Sequence, residues 1–257
     1  MTDPIFVRTR HTYESYADLW RLVELAGFPV CYADELDPAS DDTYIVIVRN
    51  GENEAGWPDA RARIIHWHLE PHVAYSTWAG VAETWAADQW HAEQIEARYV
   101  PMGSDARLKD GPDTRHAEYD VAYLGYMIPR RSDVLSGLAQ RGARVSPTSA
   151  WGDERHKVLT HSTAYLHVHQ VAEAPAIPPL RMVVAAAYSL PVITERPART
   201  GIFGCAQLLM SDHAHLAEFA WMWAVKERGA FLQAFGDGLH RMLCDELSFR
   251  RSVEVAL

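Results

Sequence analysis

The chain has 257 residues, of which 48% are hydrophobic and 23% charged, which is typical of a globular protein large enough to bury a core. Its net charge of −10 argues against a broad nucleic-acid-binding surface, although a local basic groove is compatible with it. Three scattered cysteines, Cys31, Cys205 and Cys244, have no CxxC spacing and indicate a reducing compartment without a zinc knuckle. No signal-peptide pattern follows Met1 and no apolar run could span a bilayer, so a cytoplasmic protein without membrane contact is expected.

The first part of the chain alternates short apolar runs with amphipathic segments. Strands are predicted where β-branched and aromatic residues end in turn residues, and helices where apolar residues recur at helical spacing. The predicted strands are 5–9, 29–32, 44–48, 63–69, 83–87 and 98–101, and the predicted helices are 13–26 and 90–97. This alternation predicts an α/β domain over residues 1–104.

A polar segment at 105–118 separates this domain from the remainder of the chain. It is rich in Asp and contains Gly-Pro, and it lacks hydrophobic periodicity, so it is interpreted as a linker. Beyond it the predicted strands are 119–124, 143–146, 165–169, 191–194 and 206–210, and the predicted helices are 132–141, 153–162, 180–188, 216–225, 230–235 and 238 onward. A second α/β domain with a helical C-terminal tail is therefore predicted over 119–257.

The stretch 165–195 reads as buried strand, Pro-rich loop, Ala-rich helix and buried strand, a βαβ unit of a parallel sheet. In such sheets ligands bind beyond the carboxyl ends of the strands and at helix N-termini. That edge carries His167, His169, Gln170, Arg181 and Glu195. An arginine in the first turn of a helix is unfavourable for the helix dipole, and an anionic ligand such as a diphosphate would explain Arg181.

Several motifs follow one another along the chain in a defined order. They read DVAYLGYMIPRR, VLSGLAQRGARV, WGDERHKVLTHSTAYLHVHQ, PLRMVVAAAYSLPVITE and FRRSVEVAL, preceded by IIHWHLEP and TWAADQWHAEQIEARYVPMGSD. Their order and spacing resemble GT-B glycosyltransferases, in particular CgeB-type spore-maturation and family 1-like proteins. The resemblance implies two Rossmann-like domains facing a cleft. It also implies a hexosyl- or pentosyltransferase that moves a sugar from a nucleoside diphosphate sugar to a hydroxyl acceptor.

The predicted donor site lies in the second domain. It comprises Gly125, Arg130, Arg131, Trp151, Gly152, His169, Gln170, Arg181 and Glu195. The arginines would hold the diphosphate, because guanidinium groups stabilise the negative charge of the departing nucleotide. Gly125 would let the backbone approach a phosphate or sugar. By resemblance, the loop with Trp151 and Gly152 lies near the base, and Glu195 is the nearest substitute for a ribose-binding glutamate. Surface salt bridges, a tight turn and ordinary loop packing are the alternatives at these positions.

The predicted catalytic residues lie in the first domain. Acceptor activation needs a general base near the cleft, and Glu70 and Asp88 are the candidates, with His68 behind them. Taken singly, each is better explained as a cap or an interdomain hydrogen bond, but at least one of the three is expected to act on the acceptor. No Asp-x-Asp motif ends a strand, so no obligatory metal or other cofactor is expected.

The chain departs from the resembled pattern at three positions. Ala176 and Val184 stand where many retaining members have a Glu-x7-Glu pair, and Ser189 replaces a glycine. Retention or inversion is therefore open, and a catalytically inactive binding or scaffold protein of the same shape is an alternative. The acceptor is also open between a small molecule, a glycan, a protein and a modified DNA base, although the acidic charge does not favour nucleic acid. Nothing indicates the oligomeric state.

A metal-dependent hydrolase is a further alternative. His66-x-His68 and His167-x-His169 each place two imidazoles on one face of a strand, as zinc ligands require. The two pairs lie in separate halves of the chain without a clear carboxylate between them, which makes this match weak.

Overall fold

The computed structural model describes residues 3–8, 16–48, 56–70, 78–109, 117–147, 150, 152–203 and 207–257. Within these residues the chain forms two parallel β-sheets with helices packed against them, which confirms the predicted α/β class. The first sheet is built from the first half of the chain and the second sheet from the second half. None of the helices in these ranges combines the length and apolar character that a bilayer crossing requires.

The first sheet has the strands β1 (Ile5–Arg8), β2 (Val30–Tyr32), β3 (Thr43–Val48), β4 (Arg63–His68), β5 (Val81–Ala86) and β6 (Arg98–Tyr99). Their spatial order is β2-β1-β3-β4-β5-β6, and every described pair is parallel. Helix α1 (Ala17–Leu25) follows β1 and helix α2 (Gln89–Gln94) follows β5. Strand β4 is inaccessible from Ile64 to His68, because both faces of a parallel sheet are covered.

The second sheet has the strands β7 (Tyr119–Ala122), β8 (Ser162–His167), β9 (Val192–Glu195) and β10 (Leu208–Ser211), in the order β10-β9-β8-β7 and all parallel. Its helices are α3 (Pro129–Gln140), α4 (Gly152–Thr160), α5 (Pro179–Ala187), α6 (Leu216–Trp221), α7 (Ala230–His240) and α8 (Phe249–Ala256). Wider π-helical turns extend α6 over Met222–Lys226 and α7 over Arg241–Glu246.

Two predicted elements differ from the structure. The strand predicted at 143–146 is reduced to a single parallel bridge between Val145 and Val121, because the chain turns away at Pro147, which cannot donate to a ladder. The tail helices predicted at 230–235 and from 238 are one continuous helix. The segment between the two sheets contains a short helical turn at Ala106–Leu108, whereas 110–116 lie outside the described residues. The domain boundaries therefore stay a prediction.

Helix α8, in the helical tail, packs against the first sheet. Its buried residues include Phe249, Val253 and Ala256, which follow helical spacing and form one apolar face. The Phe249 ring lies 5.9 Å from the rings of both Phe6 and Trp67. The C-terminal tail thus completes the core of a sheet formed by the opposite end of the chain.

The crossing between the two halves is buried and fully hydrogen-bonded around Ser104. The Ser104 amide donates to Leu243 O at 2.7 Å, and its carbonyl accepts from Phe249 N at 2.9 Å. Its hydroxyl donates to Val183 O on α5 at 2.8 Å. One buried residue therefore joins the connection between the sheets, the C-terminal tail and the helix of the second sheet.

Helix α7 packs closely against the turn that follows α5. In that turn Ser189 has a φ of +50°, in the left-handed region where the resembled family has glycine. The Ser189 carbonyl accepts a hydrogen bond from Gln233 at 3.2 Å. A Cβ at Gly236 would lie 2.1 Å from that carbonyl oxygen, so the helix reaches this position only without a side chain at 236.

Replacing Gly236 with alanine should destabilise the protein. In an open helix interior the change would stabilise by about 1 kcal/mol through helix propensity. Here the 2.1 Å approach to backbone decides the sign, and overpacking should cost about 1–3 kcal/mol in urea unfolding. Gly229→Ala is the control, because nothing lies within 4 Å of its Cβ position. Unchanged stability of Gly236→Ala would contradict this packing of α7.

Candidate functional site

A charged cluster lies where the carboxyl ends of β8 and β9 meet. Its centre is Glu195, the last residue of β9, which is only 6% exposed. The Glu195 carboxylate accepts hydrogen bonds from Arg130 Nη2 and from the backbone N–H of His169, the latter at 3.2 Å. His213 Nδ1 lies 3.5 Å from the same carboxylate. Three of the predicted residues, Arg130, His169 and Glu195, are thus in direct contact.

The imidazole of His169 is buried beside this carboxylate. Its Nδ1 lies 3.2 Å, a hydrogen-bond distance, from Nε2 of His167, the last residue of β8. Burial lowers the pKa of His169, and the charge of Glu195 only partly opposes that effect. His169 is therefore a neutral hydrogen-bonding group at neutral pH. His167 is itself buried in the core of the second domain.

Arg181 projects from the first turn of α5, as predicted. Its Nη1 donates to Leu124 O at 2.6 Å and lies 3.5 Å from the Tyr165 hydroxyl. A Cβ at Gly125 would lie 3.3 Å from both terminal nitrogens of Arg181, so the absence of a side chain at 125 leaves room for the guanidinium. Gly125 and Arg181 therefore form one feature at the carboxyl end of β7.

Arg131 is the neighbour of Arg130 but has a different environment. It is 4% exposed, its Nε donates to Val168 O at 3.1 Å, and its Nη1 donates to Tyr126 O at 3.0 Å. Burial lowers its pKa. These bonds connect the start of α3 to the end of β8. Arg131 therefore stabilises the backbone that carries the site.

The other predicted donor-site residues are less informative. Gln170 follows His169 and is exposed. Gly152 begins α4, so it belongs to a helix and not to the predicted loop. Trp151, predicted to lie near the base, falls outside the described residues.

Glu70 faces this edge from the first sheet. It comes two residues after β4, and its carboxylate accepts from the Tyr16 hydroxyl at 2.9 Å. Burial works against the charge of Arg181, but Tyr165, Tyr123 and Glu70 raise the pKa of that guanidinium. Residues that follow β5 and residues that follow β9 line a common cavity, so the carboxyl edges of the two sheets face each other across a cleft.

Asp88 lies at a second place in this cleft. It is the N-cap of α2, and its carboxylate accepts from the His91 N–H at 3.0 Å. A Cβ at Gly201, on the loop after β9, would lie 3.4 Å from Asp88 Oδ2. Burial raises the pKa of Asp88, and the backbone hydrogen bonds of His91 and Trp90 only partly oppose it. This carboxyl group is thus a better proton acceptor than an exposed aspartate.

The histidines of β4 are deeply buried. Burial lowers the pKa of His66 to about 4, and burial with the neighbouring His91 and His66 lowers that of His68 to about 3. The His68 ring lies 5.7 Å from that of His91. A base with so low a pKa takes up a proton poorly, so the burial of His68 does not favour it as general base. Within the described ranges no three His, Cys, Asp or Glu side chains are arranged to hold a metal ion.

Sequence reasoning missed several residues of this cleft. His213 follows β10 and could have been found by the strand-end rule that identified Glu195. Trp90 and Glu93 lie three residues apart on α2 and so share a face beside Asp88. Tyr16 and Tyr165 carry no such signal, because their roles depend on how the two sheets are placed.

Solved glycosyltransferase structures share this two-sheet architecture. AviGT4, involved in avilamycin A biosynthesis, has a TM-score of 0.61 at 13% identity over 93% of this chain and 86% of that one. A DNA-modifying β-glucosyltransferase, studied with and without uridine diphosphoglucose, has a TM-score of 0.58 at 12% identity over 98% and 99%. Anabaena HepE in complex with UDP has a TM-score of 0.57 at 11% identity over 99% of both chains. The fold is GT-B, as the resemblance implied.

Other comparisons add little beyond the fold. TarM has a TM-score of 0.54 at 12% identity, and this chain spans 56% of its length. No protein-family model matches the chain, and comparison with curated proteins gives no match. Identities this low show the shared fold alone, and the chemistry of the cleft depends on the residues that this chain places there.

The buried histidines of β4 should make stability depend on pH. The unfolded chain takes up a proton at His66 near pH 6.5, whereas the folded chain resists it down to about pH 4. Stability should therefore be fully present above about pH 6.5 and fall on acidification, by about 1.4 kcal/mol per pH unit for each such histidine. Urea unfolding at a series of pH values measures this slope.

His66→Phe should reduce that slope by the contribution of one histidine, since both His66 nitrogens lack a hydrogen-bond partner within the described residues. The exposed His215 gives the control variant His215→Gln, which should keep the slope of the unmodified protein. An unchanged slope in His66→Phe would show that His66 is not a buried neutral imidazole.

Proposed function

We propose that this chain is a glycosyltransferase that moves a hexosyl or pentosyl group from a nucleoside diphosphate sugar to a hydroxyl acceptor. One observation carries the proposal. In a GT-B fold, Arg181 and Arg130 stand at the carboxyl edge of the second sheet, Glu70 and Asp88 stand at that of the first, and Asp88 lines one cavity with the loop after β9. Cations on one side and proton acceptors on the other are what transfer from a diphosphate to a hydroxyl requires.

The donor diphosphate is assigned chiefly to Arg181, whose guanidinium is held by a carbonyl oxygen, with Arg130, which is paired with Glu195, in a supporting role. The leaving nucleotide develops negative charge, and guanidinium groups held in place stabilise it without reorganisation. Leu124 O orients Arg181, and Gly125 leaves room for its guanidinium at the carboxyl end of β7. Because these side chains supply the positive charge, the proposal needs no obligatory metal cofactor. The UDP of HepE and the UDP-glucose of the β-glucosyltransferase make uridine nucleotides the first donors to test.

Asp88 is assigned as the general base. In the reaction its carboxylate takes the acceptor hydroxyl proton while the acceptor oxygen bonds to the anomeric carbon. The bond from that carbon to the diphosphate oxygen breaks, and its electron pair leaves with the nucleotide. The raised pKa of Asp88 and the nearby opening at Gly201 support this role. The Glu70 carboxylate, by contrast, already accepts a hydrogen bond from the Tyr16 hydroxyl.

A binding protein without turnover is the second candidate. Ala176 and Val184 stand in place of the Glu-x7-Glu pair. Both side chains are apolar and buried, at 3% and 1% exposed, so they offer no polar group to a donor. Binding of a nucleotide sugar without release of the nucleotide would favour this candidate.

Arg181→Ala should weaken nucleotide binding by about tenfold or more, because a hydrogen bond to a charged group contributes about 1.5–3 kcal/mol. Thermal stabilisation by UDP and UDP-glucose, compared with other nucleotides, measures the affinity. Arg141→Ala is the matched control, since Arg141 is exposed and bonds only to its own helix at Gly137 O in the described structure. Undiminished binding by Arg181→Ala would overturn the phosphate assignment, and Arg181→Lys separates loss of charge from loss of fold.

Asp88→Asn should lower kcat by about 10²–10⁴-fold while the helix cap survives, because asparagine caps helices as well as aspartate does. The acid limb of the unmodified enzyme's kcat/KM profile should lie above pH 3.8, the ordinary pKa of Asp, and vanish in the variant. Asp105→Asn is the control, since Asp105 also caps a helical turn. If Glu70→Gln abolishes turnover and Asp88→Asn does not, Glu70 is the base.

A further inference from the structure

A cavity of about 470 Å³ opens between α2 and the loop that follows β9. Asp88, Trp90 and Glu93 line it from the first sheet's side, and Arg196 and Arg199 line it from the second. Its volume falls in the range of small-molecule sites, about 300–1,000 Å³. The cavity begins at the residue after Glu195, so it adjoins the donor cluster.

The charges of this cavity are already balanced. Arg199 Nη1 lies 3.0 Å from Glu93 Oε2, and Arg196 Nε lies 3.4 Å from Asp212 Oδ1. Each arginine therefore has its own carboxylate, unlike Arg181, which is held mainly by a carbonyl. An anionic ligand would find no uncompensated cation among these side chains. The cavity is suited to a neutral, polar molecule.

The side chains also match the surface of a sugar ring. The indole of Trp90 is half-buried and offers an apolar face to the C–H face of a pyranose. Next to it, the Arg199–Glu93 pair places a planar donor beside a planar acceptor, which suits two adjacent hydroxyls. This pair is about half exposed, so the hydroxyls of a neutral ligand can reach its N–H groups and its carboxylate without separating the two charges.

We propose that this cavity binds a pyranose ring through Trp90, Glu93 and Arg199, and that the acceptor is therefore a saccharide. The acceptor role rests on the proposed function, whereas the binding of a pyranose does not. Asp88 lines the same cavity, so a hydroxyl of a ring stacked on Trp90 would lie beside the assigned base. The balanced charges disfavour a DNA acceptor, whose phosphates need uncompensated cations.

The test is saturation-transfer NMR on the full chain with methyl pyranosides of glucose, galactose, mannose and N-acetylglucosamine. At least one should bind, and Trp90→Ala should weaken it about tenfold while Trp90→Phe restores most of the affinity. Trp221→Ala is the matched control, because Trp221 lies on α6 and does not line the cavity. Binding of UDP is measured on the same samples.

The outcomes separate the two proposals. If UDP binds but no pyranoside does, or if binding is the same in Trp90→Ala, the saccharide cavity is wrong and glycosyl transfer stands. If a pyranoside binds through Trp90 and no nucleotide does, the cavity stands and the proposed function fails. A Trp90→Ala variant that loses affinity for UDP-glucose but not for UDP would place the donor sugar in the cavity and overturn the acceptor assignment. Release of UDP accelerated by duplex DNA and by no pyranoside would also overturn it.

Discussion

The buried hydrogen bonds of Ser104 hold the two sheets in their relative position. Its amide, carbonyl and hydroxyl join the tail and α5 to the connection between the sheets, and Phe249 then packs into the first sheet. Unsatisfied polar groups at this depth would be costly, so the three bonds form together or the crossing opens. The cleft depends on this arrangement, because Asp88 lies beside Gly201 on the loop after β9 only when the sheets are held this way.

The arginines at the two ends of the cleft have different hydrogen-bond partners. At the donor end, Arg130 is paired with Glu195, whereas Arg181 and Arg131 are oriented chiefly by carbonyl oxygens, which fix a guanidinium without cancelling its charge. In the cavity beside Asp88, the ion pairs of Arg196 and Arg199 cancel theirs. Positive potential is thus concentrated where a diphosphate would sit and is absent where a hydroxyl would enter. This separation suits a reaction that joins an anionic donor to a neutral acceptor.

Much of the second half was predictable because one rule governs it. The carboxyl ends of parallel strands share an edge, so Glu195, His169 and Arg181 could be placed together from the order of strands alone. The rule says nothing about the other sheet. Tyr16 reaches Glu70 through packing between distant segments, which leaves no periodic signal. The strand at 143–146 failed for a local reason, since Pro147 ends its pairing after one bridge.

The position of Arg181 argues for a ligand more strongly than its charge does. A cation in the first turn of a helix opposes the dipole by about 0.3–1 kcal/mol, and the bond to Leu124 O offsets that cost. That bond also holds the guanidinium over Gly125, where a longer side chain would push it away. The positive potential of the helix N-terminus and the charge of the guanidinium therefore add together at the carboxyl end of β7. A purely structural arginine would have no need of this arrangement, whereas an anion at that point would neutralise both.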